Sequence, residues 1–175
     1  LEKAAGRLDR PALIVLPTSL VFNWMNEAAR FAPMLSLLAL QGGDRKSRFE
    51  GIPKHDVVLT TYPLLWRDAE VLTRFKYHLL ILDEAQTVKN SRSQGAEVVR
   101  RIDARHRLCL TGTPLEHHLG ELWSQFDFLL PGFLGDNNTF TKYWRVPIEK
   151  QGDVPRRDLL ARRIRPFILR RRKEE

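Results

Sequence analysis

The stretch His78-Leu79-Leu80-Ile81-Leu82-Asp83-Glu84-Ala85-Gln86 decides the fold. Its apolar run is too short for a globular helix and is bounded by charge, which reads as a parallel strand, at 78–82, buried on both faces. Runs of the same kind recur on either side of it. Ala12-Leu13-Ile14-Val15-Leu16 ends at Pro17, a third run covers 35–40, the β-branched run DVVLTTY covers 56–62, and a fifth strand is expected at 107–110. Helical segments alternate with these strands. Leu20, Trp24, Ala28 and Phe31 recur at helical spacing, with Thr18 or Ser19 in position to cap and Pro33 closing. Pro63 suits the first position of a helix running to about residue 75. Ala96, Val99 and Ile102 mark another helix, and Leu122, Phe126 and Leu129 give a helix at 119–129 an inner face. Such alternation predicts an α/β domain of three layers with a mainly parallel sheet. Residues 131–155, punctuated by Gly132, Gly135, Pro147, Gly152 and Pro155, read as loop-rich with a short helix around 140–144. The end reads as a basic helix over 157–164, interrupted at Pro166 and resumed over 167–172, with Phe167, Ile168 and Leu169 packing back on the domain.

The central strand carries chemistry at its end. In an open α/β sheet, ligands collect outside the carboxyl ends of the strands, so Asp83 and Glu84 bring two negative charges to the expected crevice. This is the arrangement in which one carboxylate, Asp83, holds Mg²⁺ through its water shell and a second, Glu84, orients the water that attacks a γ-phosphate. An isolated apolar-Asp-Glu match reads sooner as the start of a solvated loop or a helix cap, and it is the surrounding sequence that turns the reading towards catalysis. Trp24, by its spacing, reads as a residue that packs its helix on the sheet rather than one that stacks on a base.

Composition sets the outer limits. The 175 residues suffice for one domain with a core and a small appendage, not for two lobes of this type. No apolar run approaches the roughly 20 residues of a membrane helix. Residues 1–10 lack the apolar core of a secretory signal, and Cys109 is the only cysteine, which excludes disulfides within the chain. An intracellular setting is therefore expected, nucleoid-associated in a prokaryote or nuclear in a eukaryote. The formal charge of +8 is unevenly spread: residues 156–175 carry a net +6 and the remainder only +2, so a uniformly basic DNA-coating surface is not indicated.

Five blocks in order, PALIVLPTSLVFNWMNE (11–27), DVVLTTY (56–62), LLILDEAQTVKN (79–90), LTGTPLEHHLGELWSQFDFLLPGFLG (110–135) and RPFILRRRK (165–173), resemble the Swi/Snf-type branch of helicase superfamily two. The resemblance covers nearly the whole chain. It implies a RecA-like first lobe over 1–130, carrying motifs Ia to III, and an extension towards a second lobe over 131–175. It implies an ATPase, using ATP and Mg²⁺, that moves along double-stranded DNA with a protein cargo left open, and it argues against an RNA helicase of the DEAD-box kind, whose motif III looks different. Under this resemblance Asp83 organises the metal, Glu84 activates water, and Gln86 senses the γ-phosphate or passes its state to motif III. Thr111, Gly112 and Thr113 correspond to the motif coupling the ATP site to the DNA track. Pro17, Thr18 and Ser19, and Thr60, Thr61 and Tyr62, fall where the family meets the DNA backbone, with Lys89 and Asn90 as further candidates; strand-end hydroxyls and N–H groups suit phosphates without reading sequence.

Two departures qualify the match. No G-x-x-x-x-G-K-S/T loop occurs in these residues, so half of a nucleotide site is absent from them. The strand that feeds such a loop sits, in ATPases of this type, beside the strand leading into motif III, and an unpaired edge is expected there. The other departure is His117, where the family usually has Asn. A different class of function follows for the 175 residues by themselves: a non-catalytic module that docks on nucleic acid or protein through its basic tail.

Overall fold

A computed structural model describes residues 1–88, 94–112 and 119–171. Strand β1 (Ala12–Leu16) is followed by a 3-10 turn over Thr18–Leu20 and helix α1 (Val21–Phe31). Strand β2 (Leu37–Ala39) leads through a 3-10 segment, Arg45–Lys54, to β3 (Val57–Thr61). Two short helices, α2 (Tyr62–Arg67) and α3 (Ala69–Leu72), precede β4 (Lys76–Leu82). After a 3-10 turn over Ala85–Val88 come α4 (Gln94–Arg101), β5 (Asp103–Cys109) and α5 (Leu119–Leu129).

The five strands form one parallel sheet in the order β2-β3-β1-β4-β5. Each face of the central strands buries a different set of side chains. Leu13, Val15, Leu80 and Leu82 share one face with Leu65 from α2, Val98 and Val99 from α4 and Ile102 just after it. Ala12, Ile14, Leu16 and Leu59 meet Val21 and Trp24 from α1 on the other. Leu13, Val15, Leu80 and Leu82 are almost fully excluded from solvent. Each such side chain contributes roughly 1.5–3 kcal/mol of apolar transfer, which explains why continuous apolar runs, not alternating ones, mark these strands.

The connections decide where a ligand would go. β1 feeds α1 on one face towards β2, whereas β4 feeds α4 on the opposite face towards β5. β1 and β4 are hydrogen-bonded neighbours, Val15 opposite Leu82, so the direction of winding reverses between them. A crevice at the carboxyl ends of two such strands is the usual binding place in a doubly wound sheet. β5 pairs on one side only among the described residues, and its Leu108 is 42% exposed, as expected for an unpaired edge.

Several sequence expectations need correction. Neither Thr18 nor Ser19 caps α1 with its side chain; the residue before α1 is Leu20, inside the 3-10 turn. The region 131–155 is more helical than loop-rich, with α6 (Asn137–Phe140), a π-helical turn at Thr141–Arg145 and α7 (Val146–Gln151). Asp136 initiates α6 by accepting from the Thr139 N–H, and Pro147 fits the first turn of α7. Helix α8 (Val154–Ile164) begins earlier than expected because Asp153 caps it through the Arg156 N–H. After a 3-10 turn at Arg165–Phe167 the chain becomes extended at Ile168 and no helix resumes over 168–171. Phe167 alone packs back, edge-on to Phe126 and Phe133; Leu169 is 77% exposed. Leu119, Leu122, Trp123 and Phe126 of α5 form a second core with Leu134, Phe140 and Leu160, while Phe128 of the same helix joins the sheet's core.

Candidate functional site

Asp83 and Glu84 leave β4 at the crevice. The Asp83 N–H donates to the Val15 carbonyl at 2.9 Å, extending the β1–β4 ladder by one residue, and the chain then turns sharply. Glu84 has a φ of 49°, the only left-handed residue other than glycine among those described. A side chain in that region costs of order 1–3 kcal/mol, and such strain collects at functional sites.

Every polar group of Asp83 is engaged. Its Oδ1 accepts from the Glu84 N–H at 2.9 Å and its Oδ2 from the Trp24 indole Nε1–H at 2.8 Å. Its carbonyl accepts from the Tyr62 hydroxyl at 2.6 Å. Burial, reinforced by Cys109, Asp83 and Glu84, pushes the Tyr62 phenol far above its ordinary range, so it stays a neutral donor. On the other side of the turn, the Gln86 amide Nε2 donates to Glu84 Oε2 and the Thr111 hydroxyl donates to Gln86 Oε1 at 2.9 Å. The Ala85 N–H reaches the Leu110 carbonyl at 3.0 Å, so the turn after β4 and the exit of β5 are joined through main chain as well. The structure therefore brings together Asp83, Glu84, Gln86 and Thr111.

The other sequence candidates fall differently. Thr18 and Ser19 are exposed beside half-buried Pro17, open to a ligand from solvent. Thr60 and Thr61 are 1% and 2% exposed, inside the sheet; in this conformation their hydroxyls do not face an external backbone. Thr60 Oγ1 is buried with no hydrogen-bond partner. Tyr62 spends its hydroxyl on Asp83 rather than presenting it outward. Gly112 is exposed, with open space where a Cβ would stand. Thr113, Lys89 and Asn90 lie outside the described residues. Trp24 was missed as a site residue: periodicity places it on the sheet, and nothing in its spacing signals a bond to a carboxylate 59 positions away.

The donor set suits Mg²⁺. Asp83 offers hard carboxylate oxygens held in one orientation, each accepting one hydrogen bond from the protein. Mg²⁺ takes one or two carboxylates and completes its shell with water and phosphate, and Asp83 with the adjacent Glu84 offers that number.

A parallel α/β sheet ending in an Asp-Glu turn wired to the exit of the neighbouring strand defines the class: a RecA-like α/β fold. The SNF2-related domain family matches residues 2–175, and the chain belongs to it. It is 42% identical to the putative ATP-dependent helicase/translocase YwqA of Bacillus subtilis over 99% of this chain, and 38% identical to the TATA-binding protein-associated factor MOT1 of Saccharomyces cerevisiae over 94%. It spans only 19% and 10% of the lengths of those proteins. The Sulfolobus solfataricus SWI2/SNF2 ATPase core in complex with double-stranded DNA superposes with a TM-score of 0.90 at 35% identity, over 99% of this chain and 36% of that one. The Sulfolobus solfataricus SWI2/SNF2 ATPase core domain superposes with a TM-score of 0.82, also at 35% identity.

Proposed function

We infer that these residues form the water-activating and DNA-facing part of a double-stranded-DNA translocase driven by ATP hydrolysis. The observation that carries the reading is the relay Glu84–Gln86–Thr111 beside an immobilised Asp83 at the crevice between β1 and β4. Asp83 holds the metal position, and the fixed orientation of its carboxylate sets where that position lies. Mg²⁺, when bound, neutralises charge on the β- and γ-phosphate oxygens. Glu84 orients the attacking water, and the Gln86 amide holds the Glu84 carboxylate by one oxygen, leaving the other for the water. Through Thr111, the same Gln86 reports the state of that carboxylate to the segment Thr111, Gly112 and Thr113. Exposed Thr18 and Ser19, with main-chain N–H groups nearby, supply backbone contacts that tolerate any base sequence. The cargo moved along the DNA is not specified by anything in this site.

In the full-length protein, Glu84→Gln is expected to keep ATP and DNA binding while losing hydrolysis, since only the water-orienting carboxylate is removed. Asp83→Ala is expected to weaken Mg²⁺-nucleotide affinity too. DNA-stimulated turnover at the wild-type rate in Glu84→Gln sinks the assignment.

A further inference from the structure

We propose that Trp24 is a positioning residue for the Asp83 carboxylate, setting its affinity for the divalent cation. The proposal rests on the reading of Asp83 as metal-organising and adds a residue from a different element to it. The Glu84 N–H fixes Asp83 Oδ1 from the adjacent residue, which by itself leaves the carboxylate plane free to swing about that contact. The Trp24 indole fixes Oδ2 from across the crevice, and two donors on two oxygens define the plane. An indole N–H donates and never accepts, so its one contact holds an acceptor oxygen in place.

The indole is itself held. Trp24 is half-buried in the α1 face of the sheet, in the cluster that contains Ile14, Leu16 and Leu59. Packing in that cluster limits how far the ring can follow a turning carboxylate, so the contact acts on the orientation of the acid. Partners that orient a metal-holding group typically change metal affinity by 10–100-fold when removed. A tryptophan that merely fills space, with its N–H satisfied by whichever acceptor lies near, has no such effect.

The test compares Trp24→Phe with wild type in the full-length protein. Phe keeps an aromatic ring in the apolar cluster and removes the donor. Mn²⁺ is titrated in the presence of a non-hydrolysable ATP analogue, bound ion being read by electron paramagnetic resonance, with Asp83→Ala alongside. The expected result is an Mn²⁺ affinity weakened roughly tenfold or more in Trp24→Phe, with thermal unfolding followed separately. If Trp24→Phe does not fold, site-specific replacement of Trp24 by 3-benzothienylalanine, which exchanges the N–H for sulfur at nearly constant shape, is measured in its place. Wild-type Mn²⁺ affinity in the donor-less protein, with binding lost in Asp83→Ala, overturns the proposal and leaves the function of Asp83 standing. Unchanged affinity in Asp83→Ala overturns both.

Discussion

Glu84 adopts a backbone conformation that its side chain disfavours, and its neighbours hold it there: the N–H is tied to Asp83 Oδ1, and the carbonyl accepts from the Thr87 N–H at 2.9 Å. The strain is separable from the chemistry by comparing two variants that both lack the carboxylate. Glu84→Gly should be more stable than Glu84→Ala by about 1 kcal/mol in urea unfolding, because only Ala carries a Cβ into the left-handed region. Equal stabilities would mean that φ relaxes when the carboxylate is gone. Cys109 gives a second measurement at this scale. Burial pushes its thiol from the ordinary 9.0 up to about 12. The folded state therefore favours the neutral thiol; its contribution to stability is complete below pH 9.0 and is lost as pH rises from there towards 12. Alkylation at pH 8 should be slower in the native chain than in urea by roughly 10²-fold or more, since only the thiolate reacts. Comparable rates would place Cys109 in solvent. The placement of Asp83 and Glu84 at the end of the central strand was legible from the apolar run that precedes them, whereas a role for them came only from the surrounding sequence blocks. Trp24 was not, since a hydrogen bond between α1 and the end of β4 depends on the sheet order, which a local pattern does not encode.

Among the elements, those buried on both faces were read with the right bounds or nearly so. β1 and α5 match the expected ranges because Leu13 and Val15, or Leu122 and Phe126, have no alternative to burial. β5 was expected over 107–110 and begins at Asp103, because Arg105, His106 and Arg107 lie on an edge strand and interrupt the apolar signal. Arg105 forms an ion pair with Asp9, and Arg107 spreads over the Phe128 ring at 4.9 Å while donating to the Phe128 carbonyl. The helical extension also reaches the start of α5. The Leu119 N–H donates to Glu149 Oε1 at 3.2 Å, and Glu149 Oε2 is held by Arg145 at 3.0 Å. A carboxylate from α7 thus serves one of the open N–H groups at the first turn of α5 and complements the positive end of that helix. Glu149→Gln should retain most of this contact, whereas Glu149→Ala should destabilise the chain by roughly 0.5–2 kcal/mol, the usual cost of losing a cap. Chemical denaturation of the two variants distinguishes them, and equal midpoints would show that water replaces Glu149 at no cost.

At the scale of the whole chain, charge separates into two regions with opposite relations to a nucleotide. The basic end, residues 156–175 with a net +6, lies on and beyond α8, and part of it is committed internally: Arg163 donates to the Phe133 carbonyl and covers the Phe133 ring, and Arg156 donates to the Tyr143 carbonyl. The crevice carries Asp83 and Glu84, and no salt bridge to either exists among the described residues. A triphosphate approaching this turn meets two negative charges. The backbone cradle and lysine that normally hold the β- and γ-phosphates require a G-x-x-x-x-G-K-S/T loop, and none is present in the 175 residues. Divalent cation alone bridges poorly here, because a single immobilised carboxylate with water in the remaining positions leaves most of the phosphate charge uncompensated. The 175-residue chain, once circular dichroism shows it folded, should therefore give no saturable heat when Mg-ATP is titrated into it by calorimetry. Saturation in the micromolar range would mean that Thr111, Gly112 and the main-chain N–H groups around the crevice bind phosphate without that loop, and would move the centre of nucleotide recognition from the phosphate cradle to the turn that Trp24 and Tyr62 hold in place.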